Sequence, residues 1–204
     1  AIFININHDH LDYHITFDAY IQAKKKLFDD LPSDAIALYN ADDKRGPVMV
    51  QNTRATPHSF AFKSPADFTA KVLSNTLQGL ELRIAHQAAW FQLVGAFNAY
   101  NLLAAYSMAC LLGVDSHKAL TALSALPPIQ GRCQYLHAPA GFDAVIDYAH
   151  TPDALKSILA TLSEVKKKNG KIITVVGCGG DRDSQKRPLM AQVAYERSDQ
   201  VIFN

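Results

Sequence analysis

The chain has 204 residues, of which 49% are hydrophobic and 19% charged, with a formal net charge of +1. This is the composition of a soluble globular protein of one or two domains. No run of about 18 apolar residues exists to span a membrane, and a near-zero charge gives no support for a nucleic-acid or membrane-surface partner. The three cysteines, Cys110, Cys133 and Cys178, lack a C-x-x-C spacing. Neither a disulfide framework nor a zinc knuckle is therefore expected, and a reducing cytoplasm fits best.

The first residues, Ala1-Ile-Phe-Ile-Asn-Ile6, carry no initiator Met and no signal-peptide pattern. The last, Gln200-Val-Ile-Phe-Asn204, read as a buried strand, so the expectation is an internal piece of a longer protein. Strands are predicted at Ile2 to Ile6, Ala35 to Tyr39, Ala144 to Asp147, Lys171 to Val176 and Gln200 to Phe203. They alternate with helical patterns, which points to an α/β architecture. Phe60-Ala-Phe62, Leu80-Glu-Leu-Arg-Ile84 and Trp90-Phe-Gln-Leu-Val94 predict a small antiparallel element set into that pattern. A long helix is expected over Asn98 to Leu112, ended by Gly113, and a second over Ser116 to Leu123. Leu126-Pro-Pro-Ile-Gln-Gly131 must interrupt any helix, so the domain boundary is set at 130, giving domains 1–130 and 131–204. Beyond it, strand–helix–strand–helix–strand reads as the first half of a parallel-sheet domain.

Asn7-His-Asp-His-Leu-Asp-Tyr-His14 places two Asp and three His at the end of the opening strand. Such a string serves as a polar loop with caps or as a site edge able to hold a metal. A helix follows from Thr16 as N-cap, with Phe17, Tyr20, Ile21, Leu27 and Phe28 on one face. Lys24 falls on that face, while Lys25 and Lys26 are expected to point away. Lys24 either snorkels to the surface or is held inward. A desolvated lysine amine loses its proton more readily, and carbamylation by carbon dioxide would turn it into an oxygen ligand for magnesium.

Together, His8-Asp-His-Leu-Asp-Tyr-His14 and Tyr20-x-x-Ala-Lys24-x-x-Leu-Phe28 resemble the central-domain signature of the Mur ligase family, in its MurE branch. The resemblance implies that Lys24, as a carbamate, and His10 are catalytic and hold Mg2+. Asn40-Ala-Asp-Asp43 alone is a turn with acidic caps; the family carries the same string near its nucleotide site, which brings in Asn40 and Asp43. In Gly95-Ala-Phe-Asn98-Ala-Tyr-Asn101, Asn98 reads as an N-cap. The resemblance adds that Asn98 and Asn101 lie against the adenine of ATP, which an amide suits by both donating and accepting. Gln130-Gly-Arg132 implies that Arg132 reaches the ATP phosphates when the domains close. Asp147-Tyr-Ala-His150-Thr-Pro-Asp153 ends a strand and starts a helix at Thr151 or Pro152, and in this family it brings Asp147 and His150 to the nucleotide.

Gly177-Cys-Gly-Gly-Asp-Arg-Asp183 matches the same branch and is not a dinucleotide fingerprint. Lys186 and Arg187 are expected just ahead of a helix begun by Pro188, a place suited to an anion, and Lys186 is assigned to the nucleotide. Cys178 has no histidine of a motif near it in sequence, so it is not read as a nucleophile.

The resemblance implies an α/β fold with the C-terminal part of the central ATPase domain (a parallel sheet with a small antiparallel element). This would be followed by the first half of a Rossmann-like C-terminal domain. It implies an ATP- and Mg2+-dependent ligase that activates UDP-MurNAc-L-Ala-D-Glu as an acyl phosphate and joins it to meso-diaminopimelate, or to lysine in some branches. A cytoplasmic monomer without nucleic-acid or membrane partners is expected. No G-x-x-x-x-G-K-[ST] string occurs in the chain. In the family it lies upstream, with the domain for the UDP end, and the Asp-Asn-Pro-Arg string that selects the amino acid would follow Asn204. The chain alone is therefore expected to be inactive. Cyanophycin synthetase and folylpolyglutamate synthase are disfavoured by the 147–153 and 177–183 strings. A non-catalytic nucleotide-binding module is the reading from another class.

Overall fold

The computed structural model describes residues 1–6, 16–178 and 186–204. The chain forms two compact units. The first comprises 1–74, 80–92 and 97–126; the second takes 127–204 with the short segments 75–79 and 93–96.

The first unit is built on a sheet whose six strands follow chain order: β1 (Ile2–Phe3), β2 (Ile36–Asn40), β3 (Thr56–Ala61), β4 (Phe68–Thr76), β5 (Gly79–Ile84) and β6 (Gln87–Phe91). β1 to β4 pair in parallel, with Phe3 opposite Tyr39, Asn40 opposite Phe60 and Phe60 opposite Phe68. β5 and β6 form an antiparallel hairpin. The expected antiparallel element is thus present, but Phe60-Ala61 belongs to the parallel part. β1 ends at Phe3, short of the predicted Ile6. β4 had no signal in the sequence, because its Thr, Lys, Ser and Asn residues dilute the apolar alternation that marks a half-buried strand.

The hairpin turn uses Ala85 and His86, at φ +48° and +67°. Positive φ at both central residues is the geometry that matches strand twist in a two-residue turn, and Asn-Gly is the pair that adopts it with least strain. Here an alanine and a histidine carry it.

Helix α1 (Phe17–Asp29) starts as predicted: Thr16 is extended, and its Oγ1 accepts the Ala19 N–H at 3.2 Å. Its buried face is Tyr20, Ile21, Lys25 and Phe28. That arc is rotated by roughly 40° from the predicted one at 100° per residue, so Leu27 is exposed and Lys25 turns inward. Phe28 meets Phe3 edge-on at 6.5 Å, and with Ile6, Ala37, Met49 and Ala55 they form the core under the helix.

A short helix α2 (Gly46–Val50) follows β2. Helix α3 (Ala96–Leu111) begins two residues before the predicted start, so Asn98 lies inside its first turn and is not the N-cap. It ends as expected. Gly113 has φ +85°, its N–H reaches Cys110 O and the Val114 N–H reaches Ala109 O, which satisfies the last carbonyls of the helix. Helix α4 (Ser116–Ser124) is capped by Asp115, whose carboxylate accepts from Lys118 N.

In the second unit, β7 (Gln134–His137) and β8 (Asp143–Ile146) form an antiparallel hairpin, of which only β8 was predicted. Helix α5 (Pro152–Val165) has Thr151 as N-cap and Pro152 in its first turn, both as expected. β9 (Ile173–Val176), α6 (Lys186–Arg197) and β10 (Gln200–Phe203) make a parallel crossover, with Ile173 opposite Gln200. β10 differs from the buried strand that its sequence predicts: Ile202 and Phe203 are exposed, as are Ile173 and Val175 of β9. Among the described residues no helix is long and apolar enough to cross a membrane.

Candidate functional site

In the first unit the polar residues gather where β2 ends, on the edge of a parallel sheet where ligands commonly bind. Asn40 is buried, 5% exposed. Its Nδ2 donates to Ile4 O at 2.9 Å, and its Oδ1 accepts from Asp42 N at 2.9 Å. Asp43 accepts from Arg45 N at 2.8 Å and from Ile6 N at 3.3 Å. Both side chains chosen from the sequence therefore hold backbone.

Asp42, which the sequence reading passed over, gathers more. Its carboxylate accepts from Phe62 N at 2.7 Å, Lys63 N at 3.1 Å, Ser64 N at 2.8 Å and the Tyr100 hydroxyl at 2.9 Å. Burial alone would raise this carboxyl, but the bonds from Phe62, Ser64 and Tyr100 outweigh it and hold the group below the usual carboxylate range. Tyr100 is driven the other way, first by burial and then by Asp42. The Tyr100 ring also lies 4.8 Å from that of Phe62. Asp42 and Tyr100 both sit inside strings quoted from the sequence, yet nothing local could pair residues so far apart.

The turn at 42–46 is tight. A Cβ on Gly46 would stand 2.1 Å from Asn40 O, so no other residue fits there without moving backbone. Within α3, Asn98 is buried, Asn101 is exposed, and the Asn101 amide donates to Asn98 Oδ1 at 3.1 Å. These two sequence-chosen residues do come together.

Lys24 is exposed, with its ammonium 5.5 Å from the centre of the Tyr20 ring. Lys25, expected to point away, is 4% exposed and pairs with Asp29 one turn on. The inward lysine of this helix is Lys25, because the partner at i+4 lets the charge be buried. His10 lies outside the described residues. Among the described residues no three His, Cys, Asp or Glu gather as a metal site.

The second unit carries its own polar cluster. Gly131, at φ +69°, donates to Gln134 Oε1. Arg132 is exposed and lays its guanidinium 4.8 Å from the centre of the Tyr148 ring. The His150 ring is 5.2 Å from that of Tyr148, and its Nδ1 lies 3.0 Å from Tyr148 O. Asp147 accepts from Cys133 N at 2.8 Å, across a bend where Cys133 has φ +48°. Burial, with a smaller push from Asp147, raises the Cys133 thiol to about 12 and leaves it chemically inert. Arg132, Asp147 and His150 are thus neighbours around Tyr148, which the sequence reading did not single out.

Lys186 and Arg187 lie in the first turn of α6, and not ahead of it as predicted. Arg187 lines a cavity of about 450 Å³ with Gly177, Cys178, Pro188, Met190 and Phe203. A cavity of about 370 Å³ in the first unit, lined by Trp90, His117 and Thr121, contains no sequence-chosen residue.

The chain matches the Mur ligase middle domain over residues 1–109 and the Mur ligase, glutamate ligase domain over residues 131–204. It is 54% identical over 203 residues to UDP-N-acetylmuramoyl-L-alanyl-D-glutamate–2,6-diaminopimelate ligase from Cytophaga hutchinsonii, covering 100% of this chain and 42% of that protein. A solved structure of a ligase with that same name is 33% identical, covers 99% of this chain and 42% of its own, and superposes with a TM-score of 0.69. The MurF ligase from Thermotoga maritima in complex with ADP shares the fold at a TM-score of 0.73 and 17% identity, over 98% of this chain and 52% of its own. The chain therefore spans less than half the length of the relative named first.

Proposed function

The chain belongs to the Mur ligase family, and on that premise we propose that it is a section of an ATP-dependent ligase adding meso-diaminopimelate to UDP-MurNAc-L-Ala-D-Glu. The observation that carries this reading is the 54% identity, along the whole chain, to a ligase of that name. Free Cys110, Cys133 and Cys178 support a cytoplasmic setting, where the full-length protein would act as a monomer. Domains 1–130 and 131–204 are proposed as its units, a division supported by the family match that begins at 131.

ATP would transfer its γ-phosphoryl group to the substrate carboxylate with release of ADP, and the amine would then displace inorganic phosphate to form the amide. Asn98 and Asn101 are proposed to read the adenine edge. Their mutual hydrogen bond fixes which end of the Asn98 amide is the acceptor, and so which hydrogen-bonding pattern it presents. Asn40 and Asp43 stand at the rim of that site through the backbone they hold. Arg132 is proposed to meet phosphate with its planar fork, whose place over the Tyr148 ring supports that orientation. Asp147 and His150 are proposed to contact the nucleotide beside it, and Lys186 to contribute charge from the first turn of α6.

For Mg2+, Lys24 as a carbamate and His10 are proposed as ligands. The geometry of this chain gives that pair little support, since Lys24 is exposed and the described residues gather no donor set. The assignment rests on the family string.

The test is ADP release by the full-length protein. It should require both UDP-MurNAc-L-Ala-D-Glu and a diamino acid, with diaminopimelate preferred over lysine. Lys24→Ala should abolish it, with partial return when short carboxylic acids are added. ADP release indifferent to the UDP-dipeptide would end the ligase reading; full activity in Lys24→Ala would end the metal assignment alone. Residues 1–204, which contain no phosphate-binding loop, should not ligate by themselves.

A further inference from the structure

We propose that Asp42 is a positioning residue for the nucleotide, seating the helix turn that carries Asn98 and Asn101. The inference rests on the nucleotide reading of that turn. Its observation is the convergence on one carboxylate of three consecutive backbone N–H groups, at 62–64, and the hydroxyl of Tyr100. A carboxylate that merely ended a strand or closed a turn would take one or two local donors. Asp42 instead joins three stretches of chain: the end of β2, the link between β3 and β4, and the N-terminal part of α3.

Tyr100 stands between Asn98 and Asn101 in sequence. Those two asparagines hold each other at 3.1 Å, and the Tyr100 ring packs on Phe62, whose own N–H also reaches Asp42. The Tyr100 hydroxyl therefore ties the start of α3 to the end of β2 through a single carboxylate. Releasing the Tyr100 hydroxyl frees the turn to rotate, and Asn98 and Asn101 move with it. The flanking residues of the same string are committed elsewhere, Asn40 to Ile4 O and Asp43 to Ile6 N. One four-residue string therefore fixes both the chain leaving β1 and the start of α3. Asp42 touches no proposed ligand and acts through Tyr100.

The experiment compares Tyr100→Phe, Asp42→Asn and Asn98→Ala in the full-length protein. Calorimetry gives the Kd of a non-hydrolysable ATP analogue, steady-state kinetics gives KM and kcat, and melting gives the folded fraction. Tyr100→Phe keeps the ring and its contact with Phe62 while removing only the hydroxyl. It should weaken analogue binding and raise KM for ATP about 3- to 10-fold, a part of the loss of one hydrogen bond to a charged group, because Asp42 acts on the nucleotide only through Tyr100. The KM for the diamino acid should stay constant and kcat at saturating ATP should fall less. Asp42→Asn should do at least as much, since either amide orientation turns an NH2 toward a backbone N–H. If Asn98→Ala weakens binding but Tyr100→Phe does not, the positioning role is overturned and the nucleotide reading survives. If Asn98→Ala also binds the analogue like the parent, the nucleotide reading of this turn fails and takes the inference with it.

Discussion

The Tyr100 hydroxyl donates to the Asp42 carboxylate at 2.9 Å, tying together residues 58 positions apart in the chain. That bond ends on a group that also holds three backbone amides, so its contribution depends on Asp42 remaining ionised. Asp67 is in a similar state: the Ser59 N–H and hydroxyl hold it below the usual carboxylate range. A carboxyl lowered in the folded chain stabilises the fold above the unfolded value near 3.8 and loses that contribution as pH falls through the folded value. Urea midpoints should accordingly be flat from about pH 7 to 5 and decline below about pH 4. Asp67→Asn should flatten the acid decline; a midpoint that rises on acidification would contradict this account.

The β5–β6 turn is held by residues unsuited to it. Replacing Ala85 by Asn and His86 by Gly supplies the pair that tolerates positive φ at both positions. The double variant should gain about 1 kcal/mol, read as a higher urea midpoint with an unchanged slope. An unaltered or lower midpoint would mean that the strain is already relieved by other contacts.

Lys24 and Lys25 are neighbours with opposite surroundings, and their alanine variants should separate cleanly. Lys25→Ala removes the partner of Asp29 inside the buried face of α1 and should cost about 1 to 3 kcal/mol. Lys24→Ala loses only a ring contact at an exposed site, worth about 0.5 kcal/mol. Chemical denaturation of the two variants side by side reads the difference. Equal losses would show that the buried arc of α1 is not the one described.

The Arg132 guanidinium lies over the Tyr148 ring, so Arg132→Lys should not behave as a mild change. Lysine keeps the charge but lacks the planar fork. In the full-length protein both Arg132→Lys and Tyr148→Leu should raise KM for ATP about 3- to 10-fold. The pair should be less than additive when combined. Additive losses would mean that Tyr148 does not orient Arg132.

The sequence made local features legible. Thr16 and Thr151 cap where they were expected to, Gly113 ends α3, and the alternation of elements yields the parallel sheet. These depend on a few adjacent residues, so a linear reading can reach them. The buried face of α1 differs from its apolar stripe for a reason that is also physical. Apolar spacing cannot tell that Asp29 is available to neutralise Lys25, and it places Leu27 inward for its side chain alone. Asn40 and Asp43 were chosen as ligand contacts, whereas their polar atoms hold Ile4, Asp42, Arg45 and Ile6. The most connected residue, Asp42, was missed because its partners come from 20 to 58 residues away.

The amide of Asn40 has a polarity, with a donor toward the Ile4 carbonyl and an acceptor toward Asp42 N–H. β1 pairs with β2 at only two residues, too few to set their relative register firmly by ladder bonds alone. A slip of one residue along β1 would take Ile4 O from the Asn40 amide and the Ile6 N–H from the Asp43 carboxylate. The pair works as a lock with two keyways, and it fixes where Ile4 and Ile6 lie along the end of the sheet.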